Sequence, residues 1–187
     1  MPLVSSDHDG TPTAFFSANS LIDQAFARQL AMYLNQAVID GARQVVLSMT
    51  SLGGTVSDGI FLHNHIRALP VPVTIYATSN VDSIAVAVIL GASERFASRY
   101  GSFTIHPTNA PTIAGGSSVV RPLLEAIDRD DGRIEAIYRE RAKLPEDILT
   151  QRLAGNVHIA PEDAVKYGLV SAVREFTLPA GGTCCQV

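Results

Sequence analysis

The chain has 187 residues, 47% of them hydrophobic and 17% charged, and a formal net charge of −4. That is enough for one domain with a core of its own, and the composition is globular rather than disordered. The acidic balance leaves no electrostatic footprint for nucleic acid, and no apolar run approaches the length of about 18 residues that a membrane span needs.

Residues 1–13 are polar and are expected to form a flexible N-terminal segment, with neither the basic start nor the apolar run of a secretory leader. Next, "LIDQAFARQLAMYLNQAVIDG" carries Leu21, Phe26, Leu30, Leu34 and Val38 at helical spacing and stops at Gly41. "QVVLSM" reads as a strand, "TVSDGIFLHNHIRAL" as a helix halted by Pro70, and "VPVTIYAT" as a second strand. The small apolar run after Ser83 reads as a buried helix, and "GSFTIHPT" as a third strand. Strands and helices that alternate with short joins predict an α/β fold with parallel pairing and right-handed crossovers.

From Gly115 to Ala142 the sequence becomes long, charged and helical, with both signs mixed along its faces. Such a helix suits projection from the body and contact with a neighbour. "PEDILTQRLAG" and "APEDAVKYG" read as two short helices, and "LVSAVREF" as a closing strand. Residues 177–187 read as a flexible tail. Its cysteines, Cys184 and Cys185, are adjacent, a spacing that suits neither a disulfide nor a zinc site. A reducing, cytoplasmic setting is the expectation.

Three strand ends carry chemistry. "SLGGTV" (Ser51–Val56) follows a strand, and its glycines can turn tightly and expose N–H groups suited to an oxyanion or a bound peptide. Taken alone, the loop reads better as a plain turn that needs positive φ. Ser83 stands at the first turn of a helix, where the dipole favours developing negative charge; serine is also a preferred N-cap. His106 ends an apolar strand at the same rim, and serine needs a general base that histidine usually supplies. His63 and His65, on a helix, and His158, on a loop, read as structural.

These features together resemble the proteolytic subunit of Clp-type proteases, serine peptidases of the Clp/crotonase superfamily, over roughly Ala14 to Phe176. "SLGGTV" is similar to that family's S-P-G-G-x-V loop, "FTIHP" to its M-I-H-Q-P, and "APEDAVKYGLV" to its S-A-x-E-A-x-x-Y-G-L-I/V. Ser83 and His106 fall at the positions of its nucleophile and base. The resemblance implies a Clp/crotonase-like spiral of ββα units over residues 14–176 with a projecting handle helix near 115–142. It further implies Ser83 as nucleophile, His106 as general base, and the Gly54 and Ile84 amides as the oxyanion hole. A homo-oligomer of heptameric rings stacked through the handle follows from it, hydrolysing unfolded peptides without a cofactor. A separate AAA+ ATPase would do the unfolding, since the chain has no Walker-type G-x-x-x-x-G-K-[ST] motif.

The sequence departs from the family pattern at several positions. Leu52 replaces a proline, and Asp82 stands where a small apolar residue is usual. The aspartate of the triad aligns with Gly155, beside Asn156, which becomes the candidate third member; Asp128, Asp130 and Asp131 could substitute from a distance, although a solvated helical face suits them better. An amide orients an imidazole but does not stabilise imidazolium as a carboxylate does. Hence the alternatives: a weak or silent Clp-like ring subunit with a structural or regulatory role, or a crotonase-type acyl-CoA enzyme on the same superfold. A Ser–Lys peptidase would have to use Lys143 or Lys166, the only lysines.

Overall fold

The computed structural model describes residues 3–110 and 114–187. In its first half the elements run β1 (Val4–Ser6), β2 (Pro12–Asn19), α1 (Gln24–Ile39), β3 (Gln44–Ser51), α2 (Val56–Ala68), β4 (Val73–Asp82) and α3 (Ile84–Ile89). Then come β5 (Glu94–Ala97), β6 (Ser102–Ile105), α4 (Ser117–Arg141), α5 (Glu146–Ala154), β7 (Val157–Ile159), α6 (Pro161–Lys166), β8 (Ala172–Val173) and β9 (Cys184–Gln186). All the described strands join one sheet in the order β1-β2-β3-β4-β5-β8, with β9 beside β2 and β6–β7 branching from β4. β2 through β5 and β8 pair in parallel; the sequence predicts that pairing for β3 and β4, and β2 and β5 extend it.

β4 is long enough to serve two partners. Its residues Thr74–Ala77 pair with β5, and Asn80–Asp82 pair with β6. The register on the other side of β4 slips between Met49 and Ser51, so the strand bends where it changes partners. That bend carries the β4 C-terminus, and β6 with it, out to one rim.

Helix α1 starts at Asp23, whose carboxylate accepts the Phe26 N–H at 2.8 Å, and ends before Gly41 at φ 93°. α3 is buried along its whole length, from Ile84 to Ile89. Burying each such Val or Ile side chain contributes about 1.5–3 kcal/mol. α2 approaches it closely: a Cβ on Gly59 would stand 2.3 Å from Ile84 Cγ1. Buried His63 donates Nδ1–H to the Ala87 carbonyl at 2.7 Å, which is a structural role. The opposite sheet face carries a smaller cluster of Phe15, Val46, Tyr76 and Phe96, covered by Ala172, Phe176 and Cys184.

α4 contrasts with all of these. Of its 25 residues only Ile134 and Tyr138 are buried, while Val119 and Leu124 lie about half exposed. No described helix is long and apolar enough to cross a membrane.

The structure adds strands at both ends and departs from the sequence expectations between them. The segments 1–13 and 177–187, expected to be flexible, contain β1 and β9, which pair with one edge of β2. An open edge leaves backbone N–H and C=O groups unmatched, and these two short strands satisfy them. β2, β5 and β7 were not among the expected strands, and the closing strand shrinks to Ala172–Val173. His158, expected on a loop, lies on β7 opposite Thr104.

Candidate active site

The site is built at the rim where β3, β4 and β6 end. After β4 the chain turns sharply into α3, and Ser83 makes the turn with φ 59° and ψ −131°. Among the described residues it is the one non-glycine with positive φ. Such a conformation costs of order 1–3 kcal/mol and persists only where the surroundings enforce it. Ser83 occupies the N-cap position, yet its side chain makes no capping hydrogen bond. A capping serine would be extended and bonded to the helix amides. The cap explanation therefore fails, and the hydroxyl stands free at the mouth of a cleft.

The Gly53–Gly54 loop is pressed between that serine and the chain before α1. A Cβ on Gly53 would lie 2.6 Å from Ser83 Cβ and 3.2 Å from its Oγ, and one on Gly54 would lie 2.1 Å from the Ile22 carbonyl oxygen. Both glycines have positive φ, 92° and 153°. The loop is pinned by Ile22 N–H to the Gly53 carbonyl at 2.8 Å and Thr55 N–H to the Ile22 carbonyl at 2.7 Å. The N–H of Gly54 has no partner among the described residues, and the N–H of Ile84 is one of the first-turn amides that a helix leaves open. Gly53 is thus required by close approach to Ser83 and Asp82, and Gly54 by close approach to the Ile22 backbone, beyond any need of a simple turn.

His106 follows β6. Its Nδ1–H donates to the Pro107 carbonyl at 2.7 Å, which leaves Nε2 as the basic nitrogen. Asn109 Nδ2 lies 3.5 Å from the same Nδ1, at the limit of a hydrogen bond and in competition with the shorter contact. Ser83, His106, Gly54, Leu52, Ile134 and Tyr138 line one cleft of about 250 Å³, with residues 107–109 along its edge. Ser83 and His106 face that cleft without a hydrogen bond between them. In ligand-free sites such pairs are often loose and tighten on substrate.

The expected third member does not take its place. Asn156 is exposed, makes no hydrogen bond to His106, and does not line the cleft. The antiparallel register of β6 and β7 ends at Ile105 opposite Val157. Continued one step it would pair Asn156 with His106, but the ladder stops there and no contact forms. Among the described residues no carboxylate bonds to His106. Asp130 pairs with Arg133 at 3.1 Å, and Asp131 is held by Thr108 and Arg152. Asp82, next to the serine, accepts from Asn80 Nδ2 at 3.3 Å on one oxygen and leaves Oδ1 buried and unpartnered.

Several residues of the site escaped the sequence reading. Ile134 and Tyr138 come from the one buried stretch of α4, where an apolar pair in a charged helix was the available signal. Burial pushes the Tyr138 hydroxyl pKa well above the ordinary tyrosine value. Among the described residues no group of three or more His, Cys, Asp or Glu side chains converges to hold a metal.

The model of the Clp protease family matches residues 15–176. The chain belongs to that family. Curated relatives include the ATP-dependent Clp protease proteolytic subunit of Pleurastrum terricola, 23% identical over 155 residues, which cover 82% of this chain and 79% of the relative. Proteolytic subunit 1 of Chlamydia pneumoniae is 26% identical over 137 residues, 72% of each chain. Among solved structures, a mutant ClpP1 from Listeria monocytogenes superposes with a TM-score of 0.76 at 19% identity, covering 88% of this chain and 91% of that one. The α/β architecture is thus the Clp/crotonase-like fold. Within this Clp family member, the cleft lies at the ends of parallel strands, where open α/β sheets gather their chemistry.

Proposed function

We propose that this Clp family chain is a serine endopeptidase that cuts unfolded polypeptides through an acyl-enzyme. Ser83 Oγ attacks the scissile carbonyl carbon while His106 Nε2 takes the hydroxyl proton. The Gly54 and Ile84 N–H groups hold the resulting oxyanion. Collapse expels the amine, which receives the proton from Nε2, and water then releases the acyl group by the same route in reverse. The single observation that supports this best is the strained backbone of Ser83, which holds an uncapped hydroxyl against the Gly53–Gly54 loop.

Assembly belongs to the same proposal. The exposed apolar residues of α4, Val119 and Leu124, suit a helix that packs against another copy. Heptameric rings stacked through α4 would enclose the cleft. A separate ATPase would deliver the substrate, in line with curated relatives named as subunits of an ATP-dependent protease. Cys184 and Cys185 are unpaired, which suits a reducing cytoplasm. Turnover of an unfolded protein by the wild type, lost in Ser83→Ala, tests the peptidase. Undiminished turnover in Ser83→Ala would dismiss it.

A second reading is a weak or silent ring subunit. It is favoured by one observation, that His106 Nδ1 rests on a backbone carbonyl and no carboxylate. Clear turnover by a homogeneous preparation, free of other peptidase subunits, would eliminate it.

A further inference from the structure

Arg152, on α5, is wholly buried, although a guanidinium is among the costliest groups to take out of water. Its partners explain the burial. Nη1 donates to Asp131 Oδ1 at 3.2 Å and reaches the His106 carbonyl oxygen at 3.5 Å, while Nη2 donates to the Asp131 carbonyl at 3.1 Å. Glu135 Oε2 adds a second negative charge 3.8 Å from Nη2, and the guanidinium lies 5.7 Å from the centre of the Tyr138 ring. Nε remains buried and without a partner.

Asp131 has a second duty. The oxygen that receives Arg152 also accepts the Thr108 N–H at 2.9 Å and the Thr108 hydroxyl at 3.0 Å. The loop carrying His106 is therefore held at two points, its first carbonyl by Arg152 and its third residue by Asp131. Within the loop itself, the Nδ1 contact with Pro107 is local and ties the ring to nothing outside.

We propose that Asp131 and Arg152 are positioning residues for His106, setting the imidazole from outside where other hydrolases use a carboxylate on Nδ1. The pair joins α4 to α5 and to the His106 loop, so the placement of the long helix fixes the placement of the base. The inference rests on the reading of His106 as general base. A carboxylate bonded to Nδ1 holds the ring directly; here the charged pair holds the main chain on either side of it.

The test compares wild type, Asp131→Asn and Thr108→Val by steady-state kinetics on a short fluorogenic peptide and by NMR of the His106 ring nitrogens across pH. A misplacement near 1 Å can cost about 100-fold in rate. Asp131→Asn is expected to lower kcat on that scale with KM little changed, and to shift the His106 ring resonances and titration midpoint. Thr108→Val, which removes one of the three donors to Asp131 Oδ1 and leaves α4 intact, is expected to do the same more weakly. Should Asp131→Asn not fold, Thr108→Val decides. Wild-type kcat, or a lowered kcat with unmoved His106 resonances, overturns the proposal. If the wild type itself shows no turnover, the peptidase reading fails and the NMR comparison alone decides the positioning role: shifted resonances support it, and unmoved ones overturn it.

Discussion

The backbone N–H of Ser83 donates to the carbonyl of Thr104 at 2.7 Å. Two residues beyond Thr104 stands His106, so one main-chain hydrogen bond ties the turn that carries the hydroxyl to the strand that carries the imidazole. The relation between the two groups is set by the pairing of β4 with β6, continued one residue past the last β4 position. It does not depend on a side-chain contact between them. What the arrangement stores is backbone strain at Ser83, and that strain is measurable.

Glycine adopts φ 59° without the penalty that serine carries. Ser83→Gly is therefore expected to be more stable than Ser83→Ala by about 1 kcal/mol or more, reflecting relief of a strained residue. Denaturant unfolding of the two variants measures the difference. Equal midpoints would mean that the turn is not strained.

The two glycines of the loop predict different failures. In Gly53→Ala the new methyl meets Ser83 Cβ at 2.6 Å and the Asp82 carbonyl oxygen at 2.9 Å, so the serine turn must shift. Loss of serine reactivity is expected, with a stability cost of about 1–3 kcal/mol. Gly54→Ala meets the Ile22 backbone at 2.1 Å, which cannot yield as a side chain does, and should be the less stable of the two. Thermal unfolding with active-site labelling ranks them. A Gly53→Ala protein of normal reactivity would contradict the close packing against Ser83.

Asn156 is the next residue beyond the last β7 partner of β6 and makes no bond to His106. If the β6–β7 register ran on one step, alternation would turn position 156 toward His106 and position 155 away from it. Asn156→Asp is expected to raise kcat at least about tenfold, since triad Asp and Asn differ by about 10⁴ in trypsin-like enzymes. Gly155→Asp should fold, because its φ of 168° is ordinary extended backbone and a Cβ there meets nothing within 4 Å. It should raise kcat far less. Steady-state kinetics on both variants would reverse the face assignment if Gly155→Asp proved the more active.

Burial lowers the pKa of His63 below its ordinary value of 6.5, because the charged form loses its water. The folded state thus binds a proton less readily than the unfolded chain. The stability this contributes is fully present above pH 6.5 and is lost as pH falls below it toward the folded pKa. His63→Gln keeps a donor for the Ala87 carbonyl and removes the titration, so its stability should depend less on pH in that acid range. Parallel curves for the two proteins would place the acid sensitivity elsewhere.

Much of the parallel core was legible because its elements are long and periodic. The α1 stripe from Phe26 to Leu34 and the apolar run of β3 both announce their partners. β1, β7 and β9 have three residues each, too few for a period to show, and their existence is settled by open edges elsewhere in the sheet. Ser83, Gly54 and His106 could be found as residue types at strand ends. Arg152 could not, since a buried arginine looks in sequence like any charge on an amphipathic helix. Asp131 reads the same way on α4: its place in the charged helix suggests solvent, and the structure turns it inward to Thr108. Asn156 was legible as a neighbour of the vacant triad position, but not the exposure that keeps it from His106.

The central claim, that Ser83 is the nucleophile, is tested most directly by treating the protein with a fluorophosphonate and locating the adduct by peptide mass spectrometry. Modification of the Ser83 hydroxyl is expected, absent from Ser83→Ala and weakened in variants that move His106. An adduct on any other serine, or labelling undiminished in Ser83→Ala, would contradict it.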